Sequence, residues 1–162
     1  MAAVNGPMKH QEIFAKNYLV NGLSKEAIDQ IADIAVFDGK IAGESLIEKG
    51  DKSGDLFVIL EGTVNVYTDK GDKIADSGPG SVLGEVALVD DGPRSATAVC
   101  VGQVKYARLP AKDLRKFMAT NKDVGFVMLA NLARVLSMRL RNTAAVMEDL
   151  RAQTEDPWKN AF

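Results

Sequence analysis

One cysteine, one histidine and one tryptophan occur in 162 residues, and each scarcity removes a class of function. A lone cysteine, Cys100, cannot staple the chain internally and suits a reducing compartment. Set in Ala98-Val99-Cys100-Val101, it reads as a buried, inert thiol. A lone histidine, His10, excludes a metal site built on several imidazoles, and allows a Ser-His-Asp triad only if His10 itself serves it. Its position near a polar terminus predicts a solvated or disordered side chain. Basic charge is not in excess: Lys and Arg total 20 against 22 Asp and Glu, for a net charge of −2. A dominant nucleic-acid surface and direct DNA binding are therefore not expected, although a local basic patch stays open. No apolar run approaches the roughly 20 residues that span a bilayer, and Met1–Lys16 has no leader-like apolar core. The expectation is a cytoplasmic protein with no membrane partner. There is no Gly-x-x-x-x-Gly-Lys-Ser/Thr loop, and Gly78, Gly80 and Gly84 lack dinucleotide-fold spacing, so the common phosphate-cradling enzymes are excluded.

What is present is a globular composition, 46% hydrophobic, which is enough to build a core and too much for a disordered chain. The chain divides into three regions. Residues 1–35 form an N-terminal helical segment, with helix over roughly Gln11–Ala35. Ser24 stands before Lys25-Glu26-Ala27-Ile28, and Ile28, Ile31, Ile34 and Ala35 recur at helical spacing. At Val36 the pattern changes to short apolar runs between turn clusters. Leu56–Leu60, Val64–Tyr67 and Ala96–Val99 are such runs; Asp38-Gly39, Gly50-Asp51, Gly54-Asp55, Gly71-Asp72 and Gly78-Pro79-Gly80 are such turns. Residues 36–110 therefore predict an antiparallel β-roll or jelly-roll-like barrel. Beyond Pro110, residues 111–153 read as two helices, Ala111–Thr120 and about Val124–Gln153. Met128, Leu129, Leu132, Val135, Leu136, Leu140, Met147 and Leu150 lie on one broad stripe of the second. Pro157 stops any helix still running, and residues 154–162 form a tail whose Trp158 and Phe162 either pack back or dock on a partner. The fold class is α+β: N-terminal helices, a β-roll carrying a short phosphate-binding helix, and two C-terminal helices.

One segment departs from ordinary strand-and-turn sequence: residues 83–97, Leu83-Gly84-Glu85-Val86-Ala87-Leu88, a loop, then Pro93-Arg94-Ser95-Ala96-Thr97. A glycine before a short helical turn allows close approach to the backbone. The first amides of such a turn have no intrahelical partner and can face an anion. Arg94 carries a permanent, forked positive charge suited to phosphate oxygens, or else is a surface arginine. Pro93 restricts the backbone just before it. Glu85 is an acceptor-only carboxylate that suits a sugar hydroxyl, or else serves the helix dipole.

The segment resembles the phosphate-binding cassette of the cyclic-nucleotide-binding domain family. That family includes catabolite-activator-type regulators, regulatory subunits of cyclic-AMP-dependent kinase and cyclic-nucleotide-gated channels. The carrying motifs are Gly84-Glu85-Val86-Ala87-Leu88 and Pro93-Arg94-Ser95-Ala96, supported by Gly50-Asp51 and by Phe57–Glu61 ending at Gly62. The resemblance runs from about Ile28 to Leu150. It implies that Glu85 takes a ribose 2′-hydroxyl, and that Arg94, Ser95 and backbone near Gly84, Glu85, Val86, Ala87 and Ala96 hold a cyclic phosphate. It also implies an apolar wall near the base from Val66, Ile74, Val82 and Leu83, each of which reads equally as barrel core. The last helix would bring Val135, Arg139 and Leu140 toward the base, with Arg139 over the purine, or with Arg134, Arg139 and Arg141 forming only a wet helix face. The implied function is a stand-alone sensor, not an enzyme. It would bind cyclic AMP in preference to cyclic GMP as ligand, with no further cofactor and no metal, and pass the signal through the last helix to an effector protein, as a monomer or as a homodimer through that helix. The alternatives are a fold-retaining interaction domain that no longer binds nucleotide and a regulatory domain excised from a larger receptor or channel. The residues beyond the last helix are too few for a helix-turn-helix.

Overall fold

Helix boundaries in the first region are set by their capping residues. In the computed structural model, which describes residues 8–154, the expected helix is two helices, α1 (Met8–Ala15) and α2 (Lys25–Ile34). Asn17 divides them. Its side chain donates to the Phe14 carbonyl at 2.6 Å and accepts from the Leu19 amide at 3.0 Å, ending α1 and capping a 3-10 turn at Tyr18–Val20. A short polar side chain that satisfies local backbone in this way competes with helix continuation. Ser24 caps α2, its hydroxyl accepting from the Ala27 amide at 3.2 Å.

The eight strands are β1 (Val36–Lys40), β2 (Ser45–Ile47), β3 (Leu56–Glu61), β4 (Val64–Tyr67), β5 (Lys73–Ser77), β6 (Val82–Leu83), β7 (Thr97–Cys100) and β8 (Val104–Leu109). They form two four-stranded antiparallel sheets, in the orders β1-β8-β3-β6 and β2-β7-β4-β5. This is the expected β-roll. The first sheet works on both faces. Phe57 and Ile59 of β3, with Val104 and Tyr106 of β8, point into the roll and meet Leu46, Val64, Ala98 and Cys100 from the second sheet. Leu56, Val58 and Leu60 alternate with them and point outward, with Val82, Ala107 and Leu109, against the helices. Burial on both sides explains why β3 is an unbroken apolar run instead of an alternating one.

The outward face carries α1, α2, α3 (Ala111–Thr120) and the first half of α4 (Lys122–Thr154). Phe14, Leu19, Ile31, Leu114, Met128 and Leu132 close this second core. The broad stripe read along α4 is two faces. Met128 and Leu132 are buried, whereas Leu129, Leu140, Met147 and Leu150 are exposed. Asn131 fastens the buried face: its amide nitrogen donates to the carbonyls of Leu19 and Asn21 at 2.9 and 2.8 Å.

The expected solvation of His10 is overturned. The side chain is buried, with Nε2 2.6 Å from Glu61 Oε1 at the end of β3. Helix α1 packs on β3 and carries the ring inward, so nearness to the terminus does not indicate exposure. Cys100 is a buried free thiol, and burial raises its pKa, away from the reactive thiolate. Among the described residues no helix is long and apolar enough to cross a membrane. Trp158 and Phe162 lie outside the described residues.

Candidate functional site

The unusual segment folds between β6 and β7. Gly84 has a left-handed backbone, φ 78°, and opens a 3-10 turn at Glu85–Leu88. A side chain could not replace its hydrogen: a Cβ there would stand 2.6 Å from Arg94 Nη1 and 2.8 Å from the Asp55 carbonyl oxygen. The glycine is thus set both by backbone angle and by the approach of the arginine.

Arg94 is pinned through both its backbone and its side chain. Its amide donates to the Asp51 carbonyl, and its carbonyl accepts from the Gly50 amide, each at 2.9 Å. This joins the Gly50-Asp51 turn to the loop after the 3-10 turn. Its guanidinium donates from Nη1 to the Gly84 carbonyl at 3.2 Å and from Nη2 to the Asp55 carbonyl at 2.5 Å. Burial lowers the Arg94 pKa, while the charges of Asp55, Asp51 and Glu85 oppose that shift. The group stays cationic at neutral pH, since an arginine starts so high. Asp55 is itself anchored, with Oδ2 accepting from Arg108 Nη1 at 2.9 Å and Oδ1 from the Ala111 amide at 3.0 Å. The cassette therefore hangs from β3, β8 and the start of α3. Arg115 of α3 adds a bond to the Ala87 carbonyl and an ion pair with Asp91 at 2.7 Å.

Glu85 is the buried anion of the site, with only 4% of its surface exposed. Arg139 Nη1, from α4, bonds its Oε1. The Tyr18 hydroxyl lies nearby, buried and short of full hydrogen-bond geometry to any partner among the described residues. Burial raises the Tyr18 pKa first. The charge of Glu85 and the approach of its carboxylate to the hydroxyl raise it further, against the opposing charge of Arg139. Among the described residues no protein acceptor takes the amides of Glu85, Val86, Ser95 or Ala96. A part-buried guanidinium, a buried carboxylate and free amides on one loop can receive a small anion joined to a hydroxyl-bearing group.

The other expected residues divide. Val66 and Leu83 pack with the cluster inside the roll, on the cassette's side of the first sheet. Val82 faces the helices instead, because successive residues of β6 point to opposite faces. Ile74 is exposed on β5. Ser95 is exposed and Ala96 half-buried. Val135 is half-buried one turn before Arg139, whereas Leu140 points to solvent at 71% exposure. Arg139 does not present a free guanidinium to a base; it is engaged by Glu85. Reading the sequence missed Tyr18, Asp55 and Arg115. Asp55 is visible there only as part of a turn cluster, and nothing local marks the other two. A separate open cavity of about 550 Å³, lined by residues including His10, Phe37, Lys40 and Tyr106, lies by β1 and shares no residue with the cassette. The chemistry sits on the cassette, where the charged groups converge.

The family model for the cyclic nucleotide-binding domain matches residues 41–121. The chain belongs to that family. It is 37% identical over 102 residues to a cAMP-dependent protein kinase regulatory subunit of Yarrowia lipolytica, covering 63% of this chain and 27% of that one. It is 25% identical over 143 residues to a CRP-like cAMP-activated global transcriptional regulator of Mycobacterium tuberculosis, covering 86% of this chain and 62% of that protein. A crystal structure of a cyclic nucleotide-binding domain from Methylobacillus flagellatus superposes with a TM-score of 0.74 at 28% identity, covering 87% of this chain and 82% of the other. The chain spans less than two thirds of the length of these two curated relatives.

Proposed function

We propose that this chain is a cyclic-nucleotide sensor whose ligand sits on Gly84–Ala96, with cyclic AMP preferred to cyclic GMP. The single observation that carries this is the meeting of Arg94 with the left-handed Gly84 beside the buried Glu85 carboxylate. Arg94, the Ser95 hydroxyl and the free amides would hold the cyclic phosphate; Glu85 would accept from the ribose. Val66 and Leu83 would border the base. The preference for cyclic AMP is supported by the relatives, which are named for cAMP. The ligand leaves unchanged, and binding free energy realised only in one position of α4 shifts the population toward that position.

The signal is read on α4. Phe126, Leu129, Leu136, Leu140, Met147 and Leu150 keep to a seven-residue repeat along one side of the helix, and all but the half-buried Leu136 are exposed. A sustained heptad of this kind is completed by a second helix with the same repeat. We therefore place a second copy of the chain on this seam, with the effector protein reading the resulting dimer.

Calorimetric titration tests the ligand. Cyclic AMP should bind, and Arg94→Ala should weaken it about a hundredfold or more, as loss of charge-assisted bonds to a phosphate requires. Arg94 already satisfied by two carbonyls, and Glu85 by Arg139, would also suit a domain that keeps the fold without nucleotide. No heat with either nucleotide at millimolar concentration would select that second reading.

A further inference from the structure

Glu85 is nearly solvent-free, and a carboxylate so placed needs partners to stay charged and fixed. Among the described residues its only hydrogen bond from a side chain comes from Arg139, and that bond uses Oε1 alone. Oε2 takes none. An ionised carboxylate has about four acceptor positions and no donor, so whatever completes this one must bring a hydroxyl or amine hydrogen. The partner comes from far along the chain: Arg139 lies on α4 immediately after the packed half, and its own side chain is 52% exposed. The guanidinium thus closes the solvent side of the carboxylate, and the Tyr18 ring, packed against the helix-side core, lies nearby.

We propose that Arg139 is the positioning residue for sugar recognition: by holding Oε1 it turns Oε2 toward the cassette, so that discrimination between ribose and 2′-deoxyribose depends on α4. This rests on the sensor reading above and assigns Arg139 to the sugar end of the site instead of the base. The guanidinium is not displaced by ligand; carboxylate, guanidinium and ribose hydroxyl are bonded together. A ligand with the 2′-hydroxyl thereby joins the cassette to α4 through one carboxylate, and a ligand without it leaves that joint incomplete.

The test compares cyclic AMP with 2′-deoxy cyclic AMP by titration calorimetry on the full chain. The wild-type protein should prefer the ribose form by about 10- to 100-fold, the range for one hydrogen bond to a charged group. In Arg139→Gln the preference should fall to within about threefold of unity, through weaker binding of the ribose form and little change in the deoxy form. Arg139→Lys retains a charge without the planar fork and should keep an intermediate preference. Arg141→Gln, which loses only a contact with Ser137 at 3.4 Å on the exposed face, should match wild type. A merely structural role for Arg139 would weaken both nucleotides alike and leave their ratio unchanged, which overturns the proposal. An unchanged ratio in both Arg139 variants overturns it as well. Should the Gln variant fail to fold, a wild-type ratio in the Lys variant decides against it. If wild-type protein binds neither nucleotide, the sensor reading itself is lost and this inference with it, an outcome distinct from a wild type that binds and a ratio that does not move.

Discussion

The two halves of α4 carry similar side chains and meet opposite fates. In the first half Met128 and Leu132 are 0% and 1% exposed, and Asn131 is buried, its amide nitrogen bonded to the carbonyls of Leu19 and Asn21. In the second half Leu140 and Met147 are 71% and 65% exposed, with every described residue from Ser137 onward on the surface. Arg139 lies just beyond the boundary and holds Glu85. Apolar spacing on a helix specifies which side chains share a face. It does not specify what covers that face. The first half is covered because β3, β8 and the N-terminal helices offer a complementary apolar surface at that height; the second half extends past them.

Substitutions can break this contrast directly. Leu132→Ala, in the covered half, should cost about 2–5 kcal/mol, since a fully buried leucine leaves a cavity the neighbours only partly fill. Urea unfolding measures it as a fall in midpoint at constant slope. Asn131→Ala should cost less, about 1–3 kcal/mol, because two carbonyls near the surface of the core lose their donor. Amide exchange should show the loss concentrated around Tyr18–Asn21. In the bare half, Leu140→Glu and Met147→Glu should each change the stability of the dilute chain by less than about 0.5 kcal/mol. Sedimentation of the double variant should nevertheless record a dimer converted to a monomer. A large loss of stability without a change in mass would mean that the second half is covered from within the same chain.

The smallest effect concerns acid. Glu61 at the foot of β3 has its pKa lowered chiefly by the hydrogen bond from His10, against desolvation and with help from Lys105. A carboxyl depressed in the folded chain contributes stability above its unfolded value of 4.5, and that contribution is lost as pH falls through the lower folded value. The stability gap between wild type and Glu61→Gln should therefore be constant from pH 7 to about pH 5 and shrink below it. Thermal melts in matched buffers track the gap. A gap that widens in acid would contradict the sign.

Much of the architecture is legible in the sequence because it rests on local rules. Val36 as the start of the strands, Pro110 before α3 and Ser24 before α2 each depend on backbone angles or a neighbouring cap. The cassette is equally legible, since Gly84, Glu85, Pro93 and Arg94 fall within a dozen residues and their chemistry is carried by type and spacing. Val82 lies on the opposite wall from the expected one because a two-residue strand gives too little alternation to say which face is which. The burial of His10 escapes a reading of the sequence because it depends on where α1 docks, 51 residues away from Glu61 in the chain.

By itself the sequence determined the α+β order, the turn glycines and the residues that can meet a sugar phosphate, because each depends on steric and chemical preferences of neighbours along the chain. Only the tertiary structure decided that Asp55 holds Arg94, that Tyr18 and Arg139 converge on Glu85, and that one side of α4 splits into a covered half and a bare half. Those contacts join segments 39, 54 and more residues apart, and pairings at such separation are selected by packing in three dimensions, which no local pattern encodes.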